Sequence, residues 1–443
     1  MTSVHRTWVM CIVLLLAAVL GVSAQKTKVV YFHRADFTET EWANDIISLF
    51  NKQSPKIEVE SLSSGTGGGP DYAEKLTVLR ASGNAPDVFY GCADKLGYVL
   101  KEWTLDLTPY INRDKTAVSS NTFFPGVFET FTRDGKTYGI PLTVTPQVVF
   151  YNRDLFEKEG LQPLPASWDD RTWTWNALME YSKKLTHIGS DGVPTQLALT
   201  QATESHLPDI CWMHGGDWFD EEAYRTGRAT HSTMVRNENI QAFEALCELY
   251  EQYTVVGPPK GFGATFTSGG VAMDWIGAWK INSYVEGSRS GTMKFTWGLA
   301  PVPLVRNRQN TRWTDPLFIS STTAVPNESW EFVKFATSDE GQNLWIQKTR
   351  KIPARRTALG TFVRGVAEIS GLNENEIATA VGGALTSGRR ALEESIADVH
   401  IEIANRQAQW ILPMLYGLTP VKSGLSAMET ALNSILQELS QKR

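Results

Sequence analysis

At 443 residues, 42% hydrophobic and 20% charged, the chain has an ordinary soluble composition and enough length for two or three domains. A formal net charge of -6, with no basic run longer than two residues, excludes the phosphate-driven binding of nucleic acid. Small neutral or mixed-charge partners remain.

The opening residues, MTSVHRTWVMCIVLLLAAVLGVSAQ, set Arg6 before an apolar run from Trp8 to Leu20 and then the small residues Val22, Ser23 and Ala24. This pattern predicts a secretory signal peptide over residues 1–24. Its run is shorter than the roughly 18 residues that suggest a membrane span. Cys11 stands at the front of that run, unsuited to lipid attachment, so the expected product is exported, soluble and unanchored. Cleavage leaves Cys92, Cys211 and Cys247. A single Cys211–Cys247 bridge and three unpaired buried thiols are both open. The histidines show neither HExxH nor paired-cysteine spacing, so no metal and no cofactor is expected.

KVVYFHRAD reads as a strand, and TETEWANDIISLFNKQSP as a helix with Trp42, Ile46, Leu49 and Phe50 on one face and a capping box of Thr38 and Glu41. KIEVESLS is a second strand and SSGTGGGPD a flexible loop. DYAEKLTVLRASGNAPDVFYG then gives a helix capped by Asp71 and Glu74, ended at Gly83 and followed by a short buried strand. This β-α-β-α-β order predicts a mainly parallel sheet with ligands at the carboxyl ends of its strands. After Ile140 and Pro141 comes the strand QVVFYN, then a helix TWTWNALMEYSKKLT that buries Trp175, Leu178, Met179 and Leu185. In TSGGVAMDWIGAWKI the strand-like VAM runs into Trp275 and Trp279, spaced around Gly277. A glycine there weakens a strand and marks a turn or a close approach by another group. The last helix, SGLSAMETALNSILQEL, repeats Leu425, Met428, Leu432 and Leu436 at helical spacing. With neither repeats nor linkers, the pattern suggests two lobes joined by several crossing segments.

The order of FNKQSPKIEVE, YAEKLTVLRASGNAPDVFYG, LDLTPYI, DGKTYGIPLTVTPQVVFYNRDLFEKEGL, GGVAMDWIGAWKI, FTWGLAPVP, WEFVKFATSDEGQ and IPARRTAL resembles the extracellular solute-binding proteins of family 1, sugar receptors of bacterial ABC importers. The resemblance implies an α/β, two-lobed periplasmic-binding-protein-like fold of type II, with three hinge crossovers and a ligand cleft between the lobes. It implies residues 25–140 and 301–337 in the N-terminal lobe and 141–300 and 338–443 in the C-terminal lobe. The crossovers are expected near Gly139–Gln147, near LAPVP with DPLFI, and in ATSDEGQ, where Gly139, Pro141 and Gly341 suit a hinge. The implied partners are a sugar or oligosaccharide and the transmembrane subunits of a permease, for a monomer in the periplasm.

A sugar presents apolar C–H faces and in-plane hydroxyls, so its site combines aromatic platforms with planar polar groups. The GAW turn brings Trp279 to the cleft in the family, with Trp275 beside it; the frequent Gly-Lys before VAM is replaced here by Gly269 and Gly270. Asp94 matches a hydroxyl-binding position. Arg34 and Asp36 follow the first strand, and Thr145 and Gln147 lie at the hinge. Trp212 and Trp218 flank a glycine pair, and Trp313, Arg356 and Trp410 complete the expected set. Convergence of Arg34 and Arg356 would favour an acidic sugar or sugar phosphate, since arginine pairs carboxylate and phosphate bidentately. A secreted glycoside hydrolase would need two separated carboxylates. Its candidates, Glu221 with Glu222 and Glu393 with Glu394, are adjacent charges that read as solvated.

Overall fold

The computed structural model describes residues 26–65, 69–92, 95–199, 207–253 and 262–441. The expected signal peptide and Asp94 lie outside them. Strands β1 (Thr27–His33), β2 (Ile57–Ser63) and β3 (Val88–Tyr90) form the parallel start of the sheet. The helix Phe37–Gln53 returns from β1 to β2, burying Trp42, Ile46, Ile47 and Phe50. Its N-cap is Asp36, whose carboxylate accepts from the main-chain N–H groups of Thr38 and Glu39, so the cap falls two residues before the expected Thr38–Glu41 box. A carboxylate also suits the positive end of the helix dipole.

A small hairpin of β4 (Thr132–Arg133) and β5 (Lys136–Thr137) precedes β6 (Gly139–Asn152), the long strand on which the molecule is organised. Then come β7 (His187–Ile188), β8 (Pro194–Leu199), β9 (Val271–Gly277), β10 (Trp297–Ala300), β11 (Thr311–Ile319) and β12 (Arg389–Arg390). The strand order is β2-β1-β3-β11-β6-β9-β8-β7, with β10 on β6 and β12 on β11. From Gly139 to Pro146, β6 pairs with β11; from Gln147 to Tyr151 it pairs with β9. One strand therefore belongs to both halves of the sheet, and its partners change at Pro146 and Gln147.

Two buried apolar clusters pack on the sheet, the first running through both halves. One fills the β1–β3–β11 half and continues under the helices Lys280–Ser290, Leu359–Ser370 and Glu374–Ser387; the other lies on the opposite face of β6, β8 and β9. The expected faces of the helices Trp175–Leu185 and Val421–Gln441 are turned inward, with Met179 half-buried. Residues 336–342, expected to cross the hinge, instead make the turn between the helices Pro326–Ala336 and Asp339–Thr349. Trp345 of the second packs edge to face on Trp42 at 5.0 Å, and Trp42 Nε1 donates to the Gly341 carbonyl. The chain thus stays on the β1 half through Thr349, runs along β6 at Ile352 and Pro353, and is still tied to Ala117, Asn121 and Thr337 by Arg355 and Arg356. Among the described residues no helix is long and apolar enough to cross a membrane, and Cys92, Cys211 and Cys247 are all unpaired.

Candidate ligand site

Side chains directly opposite in an antiparallel pair share a face. Trp313 of β11 therefore stands beside Thr145 of β6, and Asp315 beside Thr143. From the other edge of β6, β9 brings Gly277 opposite Gln147. The chain then turns, and the Trp279 indole folds back over Gly277 so closely that a Cβ at position 277 would lie 1.9 Å from its ring. That close approach accounts for the glycine between the two tryptophans. Trp279 meets Trp313 edge to face, with centroids 5.1 Å apart, and remains 38% exposed. Two indoles set at an angle make an apolar corner with an accessible face.

Carboxylates surround this corner. Trp313 Nε1 donates to Glu393 Oε1; the other Glu393 oxygen has no hydrogen-bond partner among the described residues. Asp315 accepts from Tyr90 Oη and from Lys95 Nζ, each at 2.6 Å, and Lys95 also reaches Glu394 Oε1 at 2.7 Å and the Thr314 carbonyl at 3.0 Å. Burial alone would raise the Asp315 pKa, but the Lys95 charge and the Lys95 and Tyr90 hydrogen bonds hold it below the ordinary carboxylate value. Burial likewise opposes the Lys95 cation and is outweighed by its two carboxylates, so its pKa is raised. Glu394 is pushed up by burial despite Lys95.

At the carboxyl end of β1, Arg34 engages Glu39 through Nε at 2.8 Å and through Nη2, and Lys351 Nζ adds a contact of 2.6 Å to the same carboxylate. Arg34 lies 5.7 Å from the centre of the Tyr90 ring. Asp36 spends one oxygen on the helix cap, and its side chain keeps 40% exposure. Phe37, the next residue, is 75% exposed. Glu393 was missed as a site group, because its partner Trp313 lies 80 residues away.

The remaining expected residues are dispersed. Trp275 and Gln147 are buried and bonded to each other, Nε1 to Oε1 at 2.9 Å, beneath the corner. Trp212 and Trp218 belong to the interior. Trp212 donates to Asp217 at 3.1 Å under the Arg389 guanidinium, and Trp218 packs in the second core. The turn that directs them inward uses Gly215 at φ +88° and Gly216, where a Cβ would strike the Asn239 side chain. Arg356 is exposed and donates to the Asn121 carbonyl at 2.8 Å. Trp410 is half-buried against the second core. Arg34 and Arg356 are thus each engaged by other protein groups.

One buried acid near the corner carries a pH prediction. Asp209 accepts from Thr311 N at 2.9 Å and from Thr311 Oγ1, and burial raises its pKa to about 8. Unfolded, it would titrate near ~3.9. Between these values the folded chain holds a proton that the unfolded chain has released, so stability present below about pH 4 is lost as pH rises towards 8. Asp209→Asn is expected to flatten this dependence by roughly 1 kcal/mol per pH unit. Urea titrations at pH 5, 6, 7 and 8 read the slope; parallel curves for the two proteins would refute the assignment.

The model of the bacterial extracellular solute-binding protein family matches residues 34–343. A maltooligosaccharide ABC transporter solute-binding lipoprotein of Streptococcus pneumoniae is 24% identical over 338 residues, covering 71% of this chain and 69% of that protein. Relatives from Brucella abortus are 35% identical over 89 residues, and the match spans only 22% of their length. Among solved structures, an ABC substrate-binding protein of Listeria monocytogenes in complex with cycloalternan superposes with a TM-score of 0.74 at 21% identity, covering 93% of this chain and all of that one.

Proposed function

The chain belongs to the bacterial extracellular solute-binding proteins, and from that membership we propose that it is the receptor of an ABC importer, capturing a sugar or oligosaccharide outside the cytoplasmic membrane and delivering it to a permease. The observation that carries the sugar reading is the Trp279–Trp313 corner bordered by Glu393 and Asp315. Indole faces suit the C–H faces of a pyranose, while carboxylates accept from its hydroxyls. Charge supports a neutral ligand over an acidic one: Arg34 and Lys351 converge on Glu39, and Lys95 is held by Asp315 and Glu394.

The working lobes in this reading are the β1–β3–β11 half, with the helices through Thr349, and the β6–β9–β8 half. Ligand bridging them favours a closed arrangement only through its higher affinity for that arrangement. The sugar leaves chemically unchanged, and the receptor acts as a periplasmic monomer after removal of residues 1–24.

A thermal-shift screen of residues 25–443 against neutral oligosaccharides, uronates, sugar phosphates and polyamines, with product analysis of each hit, tests the proposal. Ligand at 100-fold its dissociation constant should add about 2.7 kcal/mol of stability. A hit only among acidic compounds, or a cleaved sugar, would overturn it. For a neutral hit, Glu393→Gln is expected to weaken binding about fivefold, the difference between hydrogen bonds to charged and neutral acceptors. Titration calorimetry reads this; unchanged affinity would remove Glu393 from the site.

A further inference from the structure

The ladder between β6 and β11 stops beside the ligand corner, where its last pairs are Trp313 with Thr145 and Arg312 with Pro146. Continued by one residue, the register would set Thr311 opposite Gln147, but the pairing ends at Arg312. Side chains take over that rung. Asn310 Nδ2 donates to the Gln147 carbonyl at 3.2 Å, while the Thr311 main-chain N–H donates to Asp209 Oδ2 at 2.9 Å. Thr311 Oγ1 donates to the other Asp209 oxygen. On its opposite edge β11 accepts from main-chain groups, Arg389 N to the Asn310 carbonyl at 2.9 Å and Ala391 N to the Arg312 carbonyl at 3.1 Å.

Asp209 belongs to the helix Leu207–His214, and Leu207, Ile210 and Cys211 of that helix pack in the second apolar cluster with β8 and β9. Its carboxyl group therefore reaches from the β6–β9–β8 half to the first residue of the strand that carries Trp313. Asp209, Asn310 and Thr311 are all buried. A buried N–H left unmet is costly, so the acceptor that Thr311 finds decides where the start of β11 lies. Residues two apart on a strand share a face, which puts the Thr311 hydroxyl on the Trp313 side of the sheet. Trp313 is thus fixed at two points: Glu393 accepts from the indole Nε1, and Asp209 fastens the backbone two residues earlier.

We propose that Asp209 is a positioning residue of the ligand site: by taking the place of β6 at Thr311, it sets Trp313 at the distance and angle to Trp279 that make the corner. It touches neither indole and acts through the strand. The inference rests on the reading of that corner as the sugar site, but the hold on Trp313 can be measured without any ligand. An asparagine at position 209 keeps an acceptor for the Thr311 N–H and a donor for its hydroxyl, whereas a leucine of similar size offers neither.

Fluorine NMR of residues 25–443 labelled with 5-fluorotryptophan reads the corner directly, the Trp313 and Trp279 signals being identified by their loss in Trp313→Phe and Trp279→Phe. Asp209→Leu is expected to move or broaden both signals, and Asp209→Asn to restore them. Unmoved signals in Asp209→Leu, or equal displacement in the two variants, would overturn the proposal. If Asp209→Leu does not fold, Thr311→Val removes the hydroxyl bond alone and is held to the same outcomes. Calorimetry with the ligand found by thermal shift then separates this inference from the sugar reading. Asp209→Leu should weaken binding about threefold to tenfold, the range of one buried hydrogen bond, and should add less than about twofold where Trp313 is already alanine. Losses that add in full would show Asp209 acting by another route and reject its positioning role. Native affinity in Trp313→Ala would instead refute the sugar corner, even where the fluorine spectra show that Asp209 holds Trp313.

Discussion

Replacing Lys95 with methionine is expected to cost about 3–5 kcal/mol of stability, the loss typical when one partner of a buried ion pair is removed. Lys95 is buried, and its ammonium group is shared by Asp315 and Glu394 and bonded to the Thr314 carbonyl. Without it, two carboxylates face each other in a low-dielectric interior, and Glu394 already has one oxygen without a partner. Neutralising Glu394 in the same background, as Lys95→Met with Glu394→Gln, should recover at least half the loss by removing the stranded charge. Urea unfolding at pH 7 measures both. A single-variant loss below about 1 kcal/mol would show that water reaches the network and screens it, as at exposed pairs.

Trp279→Ala is expected to weaken binding of the proposed sugar by about 1–3 kcal/mol, roughly tenfold to 150-fold in dissociation constant, because stacking and aromatic burial go together. A second variant separates the indole itself from its placement. The Gly277 backbone does not lie in the left-handed region, so another residue fits its strand conformation, but any Cβ collides with the Trp279 ring. Gly277→Val should therefore keep the fold, displace the indole and lose affinity comparably to Trp279→Ala. Calorimetry with the ligand found by thermal shift, alongside circular dichroism, reads binding and fold separately. Full affinity in Gly277→Val would mean that the ligand does not need Trp279 where the structure puts it.

The resemblance carried over the sequence concerned a two-lobed fold, and that architecture is the one seen here, with solved relatives superposing over nearly the whole chain. Much of its first half is legible without it. The strand-helix-strand order from Lys28 to Tyr90 follows from local periodicity, and so does the apolar face of the last helix. The cap at Asp36 was misplaced because Asp36 and Thr38 are both good cap residues, and the strand end decides which is used.

The tryptophans mark where sequence reading stops. Trp279 and Trp212 both sit near glycines, and both were expected in the cleft. Gly277 leaves room for an indole on the surface of a strand, whereas Gly215 and Gly216 fold their neighbours into the core. The sequence by itself determined the α/β elements, the sugar-receptor resemblance and the glycine that admits Trp279, since each rests on residues a few positions apart. Only the tertiary structure decided that Trp313 completes the corner, that Glu393 holds it, and that Arg34 is spent on Glu39 and Arg356 on the Asn121 carbonyl. Those outcomes depend on strand pairing and burial between segments far apart in the chain, and such contacts leave no periodic trace in one sequence.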